Sequence, residues 1–145
     1  MVTRDQYIRT ILLAAAGCPY LWAHYGPEGF DCSGVVTIGM EWPEKKSAQQ
    51  IYDLYKANKI ERLQAPPGSL YFYGNGITRI THVMTVLRHW PDTSGGITLI
   101  GARGGDSTTT STENAKNAKA FVDICFGDYW LDKFVAAVDP FAGQP

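Results

Sequence analysis

The sequence is short of cysteine, has no run of basic residues and lacks any long apolar stretch, and each shortage excludes a class of protein. Three cysteines in 145 residues (Cys18, Cys32 and Cys125) leave at least one unpaired. A small secreted domain stapled by disulfides is therefore excluded, and a free reactive thiol has to be accounted for. Thirteen Lys and Arg against fourteen Asp and Glu give a net charge of -1, so there is no electrostatic grip on a phosphate backbone and nucleic acid is not an expected partner. Apolar stretches are too short for a spanning helix, and residues 1–6, with Arg4 and Asp5, do not open a signal peptide; no membrane association is expected. The expectation is a protein made in the cytoplasm, with any action outside it depending on another carrier. The histidines and cysteines lack metal-ligand spacing, so neither a metal nor another cofactor is expected. Without repeats or low-complexity linkers, residues 1–145 are expected to form a single domain.

What is present suits a globular fold with one core: 45% hydrophobic and 19% charged residues. Tyr7, Ile8, Ile11, Leu12 and Ala15 make a helical stripe over residues 3–16, with Thr3 as N-cap and Gly17 as stop. A Pro- and Gly-punctuated aromatic loop follows, from Gly17 to Gly29. A second helix is expected from about Cys32 to Glu41, ended by Pro43, and a short third one behind the capping box Ser47-Ala48-Gln49-Gln50. From Pro66 the pattern changes. Leu70–Tyr73, Thr81–Leu87 and Ile97–Ile100 read as strands of an antiparallel meander, Glu113–Lys119 as a weak helix, and Phe121–Cys125 and Lys133–Val138 as one or two further strands. Helices first and strands after is the order of an α+β domain, with N-terminal helices packed on a central antiparallel β-sheet of about five to six strands.

The chemistry centres on Cys32. A thiol in the first turn of a helix meets unpaired N–H groups and the positive end of the macrodipole, so a lowered pKa and faster alkylation than at Cys18 or Cys125 are expected. Among the three histidines, only His82 opens an apolar strand, at the rim of a sheet where an imidazole can serve a thiol as base. His24 is expected to border the cleft and His89 the surface; Cys18 is expected to be a buried thiol and Cys125 a core residue.

The order Gly17-x-Pro-Tyr-x-Trp22, Gly29-Phe-Asp-Cys-Ser-Gly-Val-Val36, Pro67-Gly-Ser-Leu-Tyr-Phe-Tyr73, Thr81-His-Val83 and Tyr129-Trp-x-x-Lys-Phe134 resembles the NlpC-type cell-wall peptidases, a papain-like branch of the cysteine peptidases that cut peptidoglycan stem peptides. The resemblance implies that Cys32 is the nucleophile and His82 its general base. It implies that the Tyr20 hydroxyl reaches the cleft with Trp22 beside it, and that Asp31 and Ser33 flank the sulfur in substrate amine recognition or in loop structure. The Cys32 N–H, with Tyr20 as second donor, is then expected to hold the oxyanion. The scissile bond implied is an amide between D-glutamate and a diamino acid. The family's third polar residue falls here on Gly101, which has no side chain; Asp106 is the expected substitute, ahead of Arg103, whose cation would disfavour an imidazolium. Ala23-His24 stands where the family often has two glycines and is expected to narrow the approach to Cys32. The function implied is a phage lysin or tail-associated wall hydrolase, with stem peptides as substrate, phage tail proteins as partners, and delivery by a virion, by lysis or by a secretion machine. The alternatives are an inactive stem-peptide binder or phage structural module, and an acyltransferase or amidase on another substrate.

Overall fold

The computed structural model describes residues 2–89 and 96–144, so most of the loop expected at Pro91–Gly96 lies outside the described residues. Each N-cap expected from the sequence is in place. Helix α1 spans Arg4–Ala14, with a Thr3/Gln6 capping box in which each side chain takes up the other residue's backbone N–H. Helix α2 spans Cys32–Gly39 and stops two residues earlier than expected, where Glu41 turns left-handed at φ 58°. Helix α3, Ala48–Tyr55, starts from the Ser47/Gln50 box. Helix α4 covers Thr112–Ala118.

Among the described residues, six strands form one antiparallel sheet in the order β1-β6-β2-β3-β4-β5. They are β1 Lys59–Ile60, β2 Leu70–Gly74, β3 Ile80–His89, β4 Ile97–Arg103, β5 Phe121–Phe126 and β6 Phe134–Val138. The two-residue β1, added to β6 at the edge, is too short to leave a pattern and was not foreseen. The expected α+β class holds.

Alternation along the strands divides the apolar residues between two clusters. On one face Leu70, Phe72, Val83, Ile100 and Val122 pack under Tyr7, Ile11, Val35, Val36 and Ile51 of the helices. On the other, Tyr71, Tyr73, Met84, Val86 and Leu99 are covered by Tyr129, Phe134 and neighbouring segments. The buried Tyr7 hydroxyl shares a 2.8 Å hydrogen bond with Thr85, tying α1 to β3. Helices α1 and α2 approach so closely at Gly39 that a Cβ there would lie 2.5 Å from Tyr7 and 2.7 Å from Ile11.

That approach predicts that Gly39→Val costs about 1–3 kcal/mol through overpacking. Urea unfolding should show a lowered midpoint at unchanged slope; an unchanged midpoint would contradict the helix contact.

Candidate active site

The loop from Gly17 to Phe30 delivers Cys32 to its position through its backbone. Phe30 N–H bonds to the Pro19 carbonyl, Leu21 N–H to that of Phe30, and Asp31 N–H to that of His24. Asp31, the N-cap of α2, is buried and fully engaged. Its Oδ1 accepts from the Gly34 N–H at 2.7 Å and from the Ser33 hydroxyl at 3.3 Å; its Oδ2 accepts from the Ala23 N–H at 3.0 Å and from Lys45 Nζ at 3.0 Å. Position 34 has to be glycine, because a Cβ would collide with the His24 carbonyl. Cys32 is thus the first residue of a firmly capped helix, where backbone N–H groups have no carbonyl four residues back to bond.

His82 is the third residue of β3, paired with Tyr73, and its side chain enters the cluster on the face away from the helices. The Tyr73, Trp130 and Tyr129 rings surround the imidazole at centroid distances of 5.5, 5.7 and 5.8 Å. The Tyr129 hydroxyl lies 3.3 Å from His82 Nε2. This is the contact expected of Asp106, and the structure corrects that expectation: the Asp106 carboxylate is exposed and takes up the Thr108 N–H and hydroxyl instead. Gly101 faces Met84, whose sulfur would lie 2.6 Å from a Cβ there, so thioether fills the place of a polar side chain. Arg103 is bound to Asp123 at 2.6 Å and lies over the Tyr129 ring at 5.5 Å.

The thiol lies on the helix side of the sheet and the imidazole on the other face, near the place where two strands part. The β3–β4 pairing ends at Thr85–Ile100, although β3 begins at Ile80 and β4 runs on to Arg103. Into that opening comes the start of α2. The backbone N–H groups of Val83 and Ser33 are directed at the Cys32 sulfur, which therefore stands beside the residue that follows His82. The sulfur opens on a groove of about 350 Å³ lined by Tyr20, Trp22, Ala23, Asp31, Ser33, Lys45, Ser47, Ala48, Ile80 and Thr81. Tyr20 is 5% exposed and Trp22 46%, so the former belongs to the wall and the latter to the rim. His24 does not line the groove; it is exposed, with Nδ1 2.8 Å from the Trp22 carbonyl, and serves the loop through its backbone. A larger hollow of about 550 Å³ beside Trp42, Tyr55 and Phe141 holds neither cysteine nor histidine.

Burial reverses the electrostatics expected from the helix start. Cys32 is 8% exposed, and desolvation followed by the Asp31 carboxylate pushes its thiol up to about 11, against the lowering effect of the Val83 and Ser33 N–H groups and of Lys45. Desolvation and then the Arg103 cation push His82 down to about 4. At neutral pH the resting pair is a neutral thiol and a neutral imidazole. The expectation that Cys32 alone has a lowered pKa is therefore corrected; Cys125, half-buried in the second cluster, is raised to about 11 as well. Tyr20 and Tyr129 are both raised, chiefly by burial, and remain hydroxyl donors. All three cysteines are free, Cys18 is only partly buried, and no metal-holding cluster occurs among the described residues.

Tyr129 and Lys45 escaped the sequence reading. Tyr129 belonged to a quoted motif, but nothing local shows that it returns to a residue 47 positions earlier, and nothing local marks Lys45.

A thiol at a helix start beside a histidine-bearing strand of an antiparallel sheet is the papain-like arrangement. The sequence matches the NlpC/P60 family over residues 17–138, and the chain belongs to that family. The probable endopeptidase p60 of Listeria grayi is 35% identical over 71 residues, which is 44% of this chain and 13% of that protein. An NlpC/P60 family protein from Bacillus cereus shares the fold with a TM-score of 0.64 at 18% identity, over 94% of this chain and 40% of its own. The endolysin LysIME-EF1 does so with a TM-score of 0.58 at 14% identity, over 99% and 67%. The chain spans less than half the length of the first two proteins.

The depressed His82 pKa predicts a pH-dependent stability. Between about pH 6.5 and pH 4 the unfolded chain takes up a proton on this ring that the folded chain refuses, so stability falls as pH falls, by about 3 kcal/mol across the window. Urea unfolding of wild type and His82→Gln from pH 4 to pH 7.5 should show that slope in wild type only; equal slopes would contradict a buried neutral imidazole.

Proposed function

We propose that the protein is a cysteine peptidase that hydrolyses an amide bond in peptidoglycan stem peptides, most simply the one between D-glutamate and the diamino acid. The observation that carries this is the Cys32 sulfur opening on the groove beside the His82–Val83 backbone. Since thiol and imidazole both rest neutral, the proton moves during attack. His82 Nδ1 takes the proton from Cys32 Sγ as the sulfur adds to the scissile carbonyl, with the Nε2–H donating to the Tyr129 oxygen. The oxyanion receives the Cys32 backbone N–H and the Tyr20 hydroxyl. The imidazolium then passes its proton to the departing amine. Water, deprotonated by the same ring, cleaves the thioester and restores the thiol. Desolvation, which holds both groups neutral before substrate arrives, also strengthens each interaction with charge that develops in the closed groove.

Tyr129 fills in this scheme the role left open at Gly101: it fixes the tautomer and orientation of the base from a neighbouring segment. An inert binding module has no use for a hydroxyl held on a buried histidine, and this favours the enzyme over that alternative. The setting we propose is a phage lysin or tail-associated wall hydrolase, a role for which the endolysin sharing the fold offers a precedent.

Purified sacculi incubated with the protein should release new stem-peptide fragments by mass spectrometry, and Cys32→Ala should lower that yield about a thousandfold or more. No fragments from wild type would overturn the peptidase reading, and conjugates formed with added amines would mark an acyltransferase. Tyr129→Phe, which keeps the ring contacts with Tyr73 and Arg103, should lower kcat by about ten- to a hundredfold with little change in KM. An unchanged kcat would remove Tyr129 from the scheme.

A further inference from the structure

No proton transfer in the proposed reaction involves the charged pair at the end of β4. Arg103 is the last residue of that strand and stands diagonally across from Asp123 of β5, because the register pairs Gly101 with Asp123 and Arg103 with Phe121. Both side chains lie on the face away from the helices, as do those of Leu99 and Cys125 on the same strands. They meet as a two-point fork: Arg103 Nε donates to Asp123 Oδ1 at 2.6 Å and Nη2 to Oδ2 at 3.3 Å. With the two side chains 33% and 45% exposed, such a pair adds little to stability. What the fork does fix is the plane and place of the guanidinium, whose carbon lies 5.5 Å from the centroid of the Tyr129 ring.

Tyr129 needs such a hold. It belongs to the turn after β5, where its N–H bonds to the Phe126 carbonyl, and no strand pairing directs its side chain. Its hydroxyl stands 3.3 Å from His82 Nε2, at the long end of hydrogen-bond range, so a displacement of roughly 0.5 Å breaks the contact. Tyr73 meets the ring at 5.6 Å and 77°, and the guanidinium lies over it, attracted by the negative face of the aromatic system.

We propose that Arg103 is a positioning residue for the base: held by Asp123, it fixes the Tyr129 ring and so keeps the hydroxyl on His82 Nε2. The inference rests on the peptidase reading and carries the orienting of the imidazole back from Tyr129 through Arg103 to Asp123. Gly101 offers no side chain for that task, and the same strand supplies one two residues further on. The cation also acts on the base directly. Around the imidazole stand Tyr73 from β2, Tyr129 from the turn and Arg103 from β4, with Asp123 and Cys125 of β5 behind them and Cys32 on the side of α2. Both tyrosines and both thiols rest neutral. The charge that acts on His82 is that of Arg103, and it opposes a resting imidazolium, so the base stays free to accept a proton in mildly acidic solution.

A double-mutant cycle on stem-peptide hydrolysis tests the proposal. Arg103→Met should lower kcat about five- to tenfold with little change in KM, but less than about twofold in a Tyr129→Phe background. Equal losses in the two backgrounds, or no loss in either, overturn it. Loss of the cation should also move the acid limb of kcat/KM to higher pH in Arg103→Met and leave it in place in Arg103→Lys, a shift that a merely structural role would not produce; an acid limb unmoved in Arg103→Met overturns the direct effect on the base. Cross-relaxation between the Tyr129 and His82 ring protons, read by NMR without substrate, should be lost or weakened in Arg103→Met. An undiminished signal overturns the positioning role whether or not the protein cleaves anything. A weakened signal, together with sacculi and stem peptides left intact by wild type, overturns the peptidase reading and leaves the hold on Tyr129 standing.

Discussion

The site depends on one local arrangement, the Asp31 cap that seats the first turn of α2 in the opening between β3 and β4. A single carboxylate gathers Gly34 and Ser33 from the helix, Ala23 from the aromatic loop and Lys45 from the segment before α3. Three stretches of chain are thereby fixed to the residue preceding the sulfur. Because the β3–β4 pairing stops at Thr85–Ile100, backbone at Val83 is left to face the thiol rather than β4. Cap and opening together set a cysteine of the helical layer beside the backbone of Val83, the residue that follows His82.

That placement governs the electrostatics. A helix N-terminus favours a thiolate, but only by a modest amount that water weakens further, whereas taking a charge out of water acts on every buried group. Here burial and the adjacent Asp31 outweigh the N–H groups and Lys45 at Cys32, and burial with Arg103 acts the same way at His82. The result is a thiol and an imidazole that both rest neutral rather than a standing ion pair. The aromatic enclosure of His82 by Tyr73, Tyr129 and Trp130 both lowers its pKa and supplies, in the Tyr129 hydroxyl, its polar partner.

Features set by neighbouring residues were legible in the sequence. The caps Thr3 and Ser47 and the strand patterns of β2, β3 and β4 are local, and Cys32 and His82 lie within quoted motifs. Features set by the folded chain were not. Tyr129 reaches His82 from within the turn after β5, just ahead of Trp130, which adopts a left-handed conformation at φ 49°, a path no periodicity reveals. Asp106 was the natural guess for the missing partner because it is the first carboxylate after Gly101, yet Thr108 engages it within its own turn. The direction of the Cys32 shift was missed for a related reason: a helix start is visible in sequence, but the depth at which it is buried is not.

The central claim is that the sulfur of residue 32 becomes covalently acylated by a stem peptide. Mass analysis of protein acid-quenched in the first milliseconds of reaction with a stem peptide tests it most directly. The account predicts a thioester adduct, with the mass of the amino-side fragment, on the peptide containing Cys32 and none on Cys18 or Cys125. Hydrolysis that proceeds with Cys32 unmodified at every quench time, or with the adduct on another cysteine, would contradict it.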